Sequence, residues 1–253
     1  LASGSGGNAC FVETDDARIL IDAGISSREI LRRLEILGVE PESLDALIIT
    51  HEHIDHIRGA GPLSRRLNLP VHTNRKTLQR GLRTIGNLSA PVIFQTGQTV
   101  TVKDLSLETF TKCHDAADPF GLVVSCHGIR IGLATDLGRS TRLVEDRLKG
   151  CQVLILEFNH DEEMLKLGPY PLSVKRRIMG QDGHLSNGQA VDLLRTISNQ
   201  ELEFLVVAHL SETNNDGARA HKAARKALGD CGLRAARILM GKQDEPGPMI
   251  KIG

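Results

Sequence analysis

Short apolar runs alternate with amphipathic stretches along most of the chain. Residues 10–14 and 18–22 read as two short strands around an Asp15-Asp16 turn. A helix follows, capped by Ser26 or Ser27, with Ile30, Leu34 and Leu37 on one face and Gly38 at its end. Ala46-Leu-Ile-Ile-Thr50 is continuously apolar until its last residue, as a buried strand is. Helices are predicted near 60–68 and 75–85, with a short strand after Pro70 carrying His72. Strands are predicted near 92–94, 99–102, 105–110, 120–125 and 129–134. A helix near 141–149 precedes the strand Val153-Leu-Ile-Leu-Glu157. Two helices are expected between 161 and 197, interrupted around Pro169 and Pro171. The strand Phe204-Leu-Val-Val-Ala208, a helix near 216–228 and strands near 235–240 and 249–252 complete the pattern.

Helices flank strands throughout, with hairpins in the middle. This predicts one layered α/β domain over residues 1–253, with mixed rather than purely parallel sheets. No internal repeat, low-complexity tract or linker interrupts it. Polar clusters follow the C-terminal ends of strands, where α/β folds place their chemistry.

Composition narrows the function classes. The 253 residues are 40% apolar and carry 31 acidic against 31 basic side chains. That supports a sizeable core and excludes a disordered chain or a strongly basic nucleic-acid wrapper. A nucleic-acid substrate needs only a local basic patch, so it stays open. No apolar run approaches the roughly 18 residues of a membrane span. Five widely spaced cysteines, none in a CxxC pair, argue against a cysteine zinc knuckle and a disulfide framework. With no basic-then-apolar leader, the cytoplasm is the expected compartment. Aromatics are only 3%, too few for a base-stacking RNA-recognition sheet.

Histidine placement points to chemistry. Thr50-His51-Glu52-His53-Ile54-Asp55-His56 packs three histidines and an aspartate into six residues. It is not a helical HExxH site, because Asp55 stands where the second histidine belongs. In a loop after a strand, His51 and His53 would face one metal, and Asp55 and His56 a second. Mixed imidazole and carboxylate donors suit zinc, manganese or iron. Six residues cannot fill two coordination shells. His114, Asp136 and His209 each end or follow an apolar run and are candidates for the remainder.

The order Asp22, the HxHxDH cluster, His114, Asp136, His209 resembles the metallo-β-lactamase superfamily over essentially the whole chain. More closely the sequence resembles the YycJ/WalJ-like branch. That resemblance is carried by Ser3-Gly-Ser-Gly-Gly-Asn8, the 50–56 cluster, Leu156-Glu-Phe-Asn-His-Asp161, Gly183-His-Leu-Ser-Asn187 and His209-Leu-Ser-Glu-Thr-Asn-Asn215. It implies a single αββα sandwich and a metal-dependent nuclease, with 5′-to-3′ DNA exonuclease activity the leading assignment. It also implies two divalent ions, zinc or manganese with iron possible. One would sit on His51, His53, His114 and a bridging Asp136. The other would sit on Asp55, His56, Asp136 and His209. Asp22 would hold the metal loop by hydrogen bonds. His160 stays open between ligand and structural residue.

Nuclease-type branches also carry a Glu–His pair beside the metals, which Glu157 and His184 resemble. An imidazolium there could protonate a departing alkoxide; the plainer reading of His184 is a cap for the helix beginning near Ser186. Asp55, His184 and Glu157 are thus the candidate catalytic side chains. Two ions can clamp a phosphate and activate water for in-line attack on phosphorus. The same cradle serves thioesters and β-lactams. A small-molecule phosphodiester or thioester hydrolase is therefore the runner-up, and a metal-stabilised binding domain a third reading. DNA is the expected partner, with no membrane involvement. Among the basic groups, Lys175–Arg177 is the best candidate to rim the cleft, since it lies between Glu157 and His184 in sequence. The backbone amides of Gly4, Gly6 and Gly7 are candidates for contact with a substrate phosphate.

Overall fold

The computed structural model describes residues 1–253. The chain divides into two compact units, one of residues 1–109, 116–120 and 242–253, the other of residues 110–115 and 121–241. Each has its own apolar core.

In the first unit β1 (Cys10–Glu13) and β2 (Arg18–Ile21) form the expected antiparallel hairpin, with Cys10 opposite Ile21. The sheet continues in parallel through β3 (Ala46–Ile48), β4 (Pro70–Asn74) and β5 (Ala90–Phe94). Parallel neighbours need crossovers, and helices supply them. Helix α1 (Ser27–Ile36) is capped by the Ser26 side chain and followed by Gly38 at a positive φ of 75°, as its sequence signals predict. A four-residue helix α2 (Ile54–Ile57), α3 (Ala60–Leu67) and α4 (Arg75–Ile85) follow. Ile30, Leu34, Leu47, Ile49, Ile57, Leu63 and Val71 form the centre of this core. Burying each of these side chains fully contributes about 1.5–3 kcal/mol. Strands β6 (Thr99–Val102) and β7 (Leu105–Thr111) form a second antiparallel hairpin.

In the second unit β8 (Phe120–Cys126) and β9 (Ile129–Ala134) are antiparallel. His127 and Gly128 make their turn, both at positive φ. Strands β10 (Val153–Glu157), β11 (Phe204–Ala208) and β12 (Arg237–Met240) extend the sheet in parallel from β9. Both sheets are therefore mixed. Helices α5 (Arg142–Leu148) and α9 (Gly217–Asp230) lie where the pattern predicts them.

Two expectations are corrected. Three helices rather than two occupy residues 161–197: α6 (Glu162–Leu167), α7 (Leu172–Ile178) and α8 (Asn187–Ile197). The prolines make the first break. The second comes where Gly183 approaches so closely that a Cβ would lie 2.2 Å from the Ile178 carbonyl oxygen. A capping box of Ser186 and Gln189 then restarts the helix. Residues 249–252 are not a strand. Their alternation finds no neighbouring strand, and Pro246 and Pro248 lack the donors a ladder would need. No helix is long and apolar enough to cross a membrane.

Candidate functional site

Several candidate residues of both units sit at C-terminal ends of parallel strands. Asp22 follows β2, and Thr50 and His51 follow β3. Asp136 follows β9, Glu157 ends β10 and His209 follows β11. Asp22, Asp136 and His209 adopt the left-handed backbone conformation, with φ of 61°, 54° and 55°. Non-glycine residues seldom do so outside turns and helix caps, and such strain clusters at functional sites.

In the first unit the side chains converge on Asp22, which is almost fully buried. Its Oδ1 accepts from the Thr50 backbone amide at 2.8 Å. Its Oδ2 accepts from the Thr50 hydroxyl at 2.8 Å and lies 2.7 Å from Nδ1 of His56. The Thr50 hydroxyl gives its one proton to Asp22, so toward Nδ1 of His51, 3.0 Å away, it acts as acceptor. Both His51 and His56 therefore carry their proton on Nδ1, which makes Nε2 of each the acceptor and the candidate metal donor. The rings of His51 and His56 lie 4.0 Å apart, and those of His51 and His53 4.8 Å apart. Asp55 Oδ2 is 3.5 Å from His56 Nε2.

Asn8 ties this turn to the N-terminal segment. Its backbone amide donates to the Asp55 carbonyl at 2.8 Å, and its Nδ2 lies 3.3 Å from Asp55 Oδ2 and 3.2 Å from His56 Nε2. Gly24 is required beneath it: a Cβ there would lie 1.6 Å from the Asp55 carbonyl oxygen. The glycines at the start do not present free amides. The amide of Gly4 donates to Asn8 Oδ1, that of Gly6 to Gln243 Oε1 and that of Gly7 to the Gly4 carbonyl. The phosphate-contact expectation for Gly4, Gly6 and Gly7 is corrected accordingly: this loop braces Asn8.

In the second unit Glu157 is the organising carboxylate, with no solvent exposure. Its Oε2 accepts from the backbone amides of Leu137 and Leu185 at 2.9 and 3.1 Å. Its Oε1 lies 2.8 Å from Nδ1 of both His184 and His209. Burial opposes ionisation, but the two histidines outweigh it and hold this carboxyl at about 2, below its ordinary 4.5. Nδ1 of His114 lies 3.1 Å from the Gly183 carbonyl, a group that only accepts. His114 and His209 thus also carry the proton on Nδ1. Their Nε2 atoms face Asp136 Oδ1 at 3.9 and 3.4 Å. Lone pairs and a carboxylate oxygen converging this way repel one another unless a cation lies among them. Asp136, Glu157, His184 and His209 form one group whose possible donor atoms lie within 4.8 Å of one another.

The donor set fits divalent metal ions. Four of the five candidate imidazole ligands have Nδ1 fixed by an acceptor, the arrangement that orients metal-bound histidine. His184 differs. Its Nδ1 is held by Glu157, and its side chain is 19% exposed where those of His114 and His209 are buried. Glu157 is fully buried, and its side chain contacts His184 and His209. His160 is brought into none of the possible ligand groups. It is buried, its Nδ1 has no hydrogen-bond partner, and burial pushes its pKa down and keeps it neutral. Arg177 pairs with Asp115, next to His114. Ser186 caps α8 with its own hydroxyl, so His184 is not its cap. The Thr50 relay, the Asn8 contacts and the Gly24 approach carry no signal in residue type or spacing alone.

The family model described as the beta-lactamase superfamily domain matches residues 17–209. A Bacillus anthracis protein named exodeoxyribonuclease YycJ is 35% identical over 100% of this chain and 96% of its own length. Exodeoxyribonuclease WalJ of Streptococcus pneumoniae serotype 2 strain D39 is 36% identical over 92% of this chain and 88% of its own. Among solved structures, the metallo-β-lactamase fold protein YhfI from Bacillus subtilis superposes with a TM-score of 0.72 at 17% identity, covering 96% of this chain and 94% of that one.

Proposed function

The chain belongs to the metallo-β-lactamase superfamily of metal-dependent hydrolases, and within it we propose that this protein is a DNA exonuclease cutting phosphodiesters from the 5′ end. His51, His53, Asp55 and His56 in the first unit, and His114, Asp136 and His209 in the second, are the residues that would hold divalent ions, zinc or manganese. Bound there, the ions supply Lewis-acid activation of water and neutralise charge on the phosphate.

The observation that carries the phosphodiester reading is Glu157 Oε1 shared by His184 and His209. A DNA strand expels an alkoxide, which leaves poorly without a proton; a thiolate needs none. In its charged form His184 keeps one proton on Nδ1 against Glu157 and holds the other at Nε2, which it delivers to the departing oxygen. Glu157 fixes the ring's direction and balances its charge. Asp22 and Thr50 keep His51 and His56 in the tautomer that offers Nε2. The names of the relatives that match over nearly the whole chain support DNA as the polymer.

The test is a product ladder from linear DNA and RNA labelled at either end, with zinc or manganese supplied. The expected result is early release of a 5′ label as a short product, and progressive shortening of DNA labelled at its 3′ end. Cleavage of RNA alone, or thioester turnover without phosphodiester turnover, overturns the reading.

A further inference from the structure

The chain between α6 and the turn before His184 presents an unusual surface. Helix α7 buries none of its seven residues. Leu167 is 89% exposed and Leu172 61%, and Val174 and Met179 are also exposed. Eleven large apolar side chains are exposed in the protein, and four of them fall within these thirteen positions. Across α6 and α7 there are four basic side chains, Lys166, Lys175, Arg176 and Arg177, against two acidic ones, Glu162 and Glu163 in the first turn of α6; α7 itself carries only basic charge. Arg177 is paired with Asp115 and Lys175 donates to the Lys166 carbonyl, so Arg176 and the Lys166 ammonium are left for a partner.

Both ends of this segment are fixed, although no residue of α7 is fully buried. Leu165 anchors α6 in the core. At the other end the His184 amide donates to the Ile178 carbonyl. The Gly183 carbonyl faces Nδ1 of His114. A Cβ on Gly138 would lie 2.3 Å from the Gln181 carbonyl oxygen, so the turn after α7 is pressed against the Asp136 loop. The exposed helix therefore leads, through a braced turn, directly to His184.

We propose that the α6–α7 segment is a holding surface for single-stranded DNA, placed so that nucleotides beside the bond at His184 run across α7. The side chains of Leu172 and Met179, which share a helix face with Arg176, take the apolar faces of unstacked bases, and Arg176 and Lys166 take phosphates. A single strand offers both chemistries; paired DNA hides its base faces. A second copy of the chain is a poorer occupant, because a two-fold contact would set this cationic face against itself. The inference rests on the exonuclease reading and adds where the strand lies and which groups grip it.

The experiment uses the metal-loaded full chain and three measurements: fluorescence anisotropy of a labelled single strand over a salt series, exonuclease rate, and turnover of a nitrophenyl phosphodiester. Arg176→Glu should weaken strand binding about tenfold and reduce the salt slope by about one. Leu172→Ser with Met179→Ser should weaken binding by a similar factor and leave the salt slope unchanged. Both should keep nitrophenyl turnover within about twofold of the wild-type protein, which also shows that they are folded. Wild-type strand cleavage with unchanged affinity in both variants overturns the holding surface and leaves the exonuclease reading standing. A wild-type chain that neither binds nor cleaves DNA overturns both. Variants that lose self-association instead of DNA binding assign the face to a second copy and overturn the proposal.

Discussion

Oε1 of Glu157 lies 2.8 Å from Nδ1 of His184, and the same oxygen lies 2.8 Å from Nδ1 of His209. One buried carboxylate thus fixes both a candidate proton donor and a candidate metal ligand. Its other oxygen is taken by two backbone amides, so it has little freedom to favour one histidine over the other. The same design recurs in the first unit, where Asp22 fixes His56 directly and His51 through the Thr50 hydroxyl.

If His184 acts as the proposed proton donor and not as a ligand, His184→Ala should keep its metal and lose about 10²–10⁴ in DNA cleavage rate. A nitrophenyl phosphodiester, whose leaving group departs without a proton, should be far less affected. Metal analysis and the ratio of the two rates check this. Equal losses on both substrates at full metal occupancy point to positioning in place of proton donation.

Asp136→Ala should lose both metal and activity, since two imidazole Nε2 atoms face its carboxylate. Glu157→Gln should weaken metal binding by about 10–100-fold through His209, and should lower DNA cleavage further through His184. Titration against a metal chelator reads both. A folded Asp136→Ala protein with unchanged metal content removes Asp136 from the bridge.

Glu157 also makes metal-free stability depend on pH. Its carboxyl is held at about 2 in the folded protein, below the ordinary 4.5. A depressed acid contributes stability that is complete above its unfolded value and is lost as pH falls toward the folded one. The urea midpoint of chelator-treated protein should therefore drop between pH of about 5 and about 3, more steeply than that of Glu157→Gln. Parallel curves for the two proteins rule out this linkage.

Gly24→Ala should destabilise the protein by at least about 2 kcal/mol, because the added methyl would overlap the Asp55 carbonyl. The displaced Asp55–His56 turn should also bind metal more weakly. Urea unfolding and metal analysis of the same preparation check both effects, and a variant matching wild type in both removes the role given to this close approach.

Most elements were legible because each rests on a local signal. The Ser26 cap and Gly38 bound α1, and the apolar run before Thr50 marks β3. His127-Gly128 marks the β8–β9 turn. Residues 249–252 misled because alternation alone says nothing about a neighbouring strand, and none is present. The break between α7 and α8 was missed because it depends on Gly183 pressing against the Ile178 carbonyl, a contact invisible in residue order.

The sequence by itself determined which side chains are candidates for chemistry: a dense HxHxDH cluster is improbable without a metal, and strand ends tell where lone histidines and aspartates will emerge. Tertiary structure alone decided how they divide the work. Tautomer, direction and charge depend on which acceptor each Nδ1 meets, and those acceptors are distant in sequence: Asp22 for His56, the Gly183 carbonyl for His114, Glu157 for both His184 and His209. Whether α7 packs or stays exposed was equally undecided by its residues, since a helix with Leu172, Val174 and Ile178 reads as amphipathic until its surroundings show that it buries nothing. Hydrogen bonds and burial are relations between parts of a folded chain, whereas pattern and spacing are properties of the string.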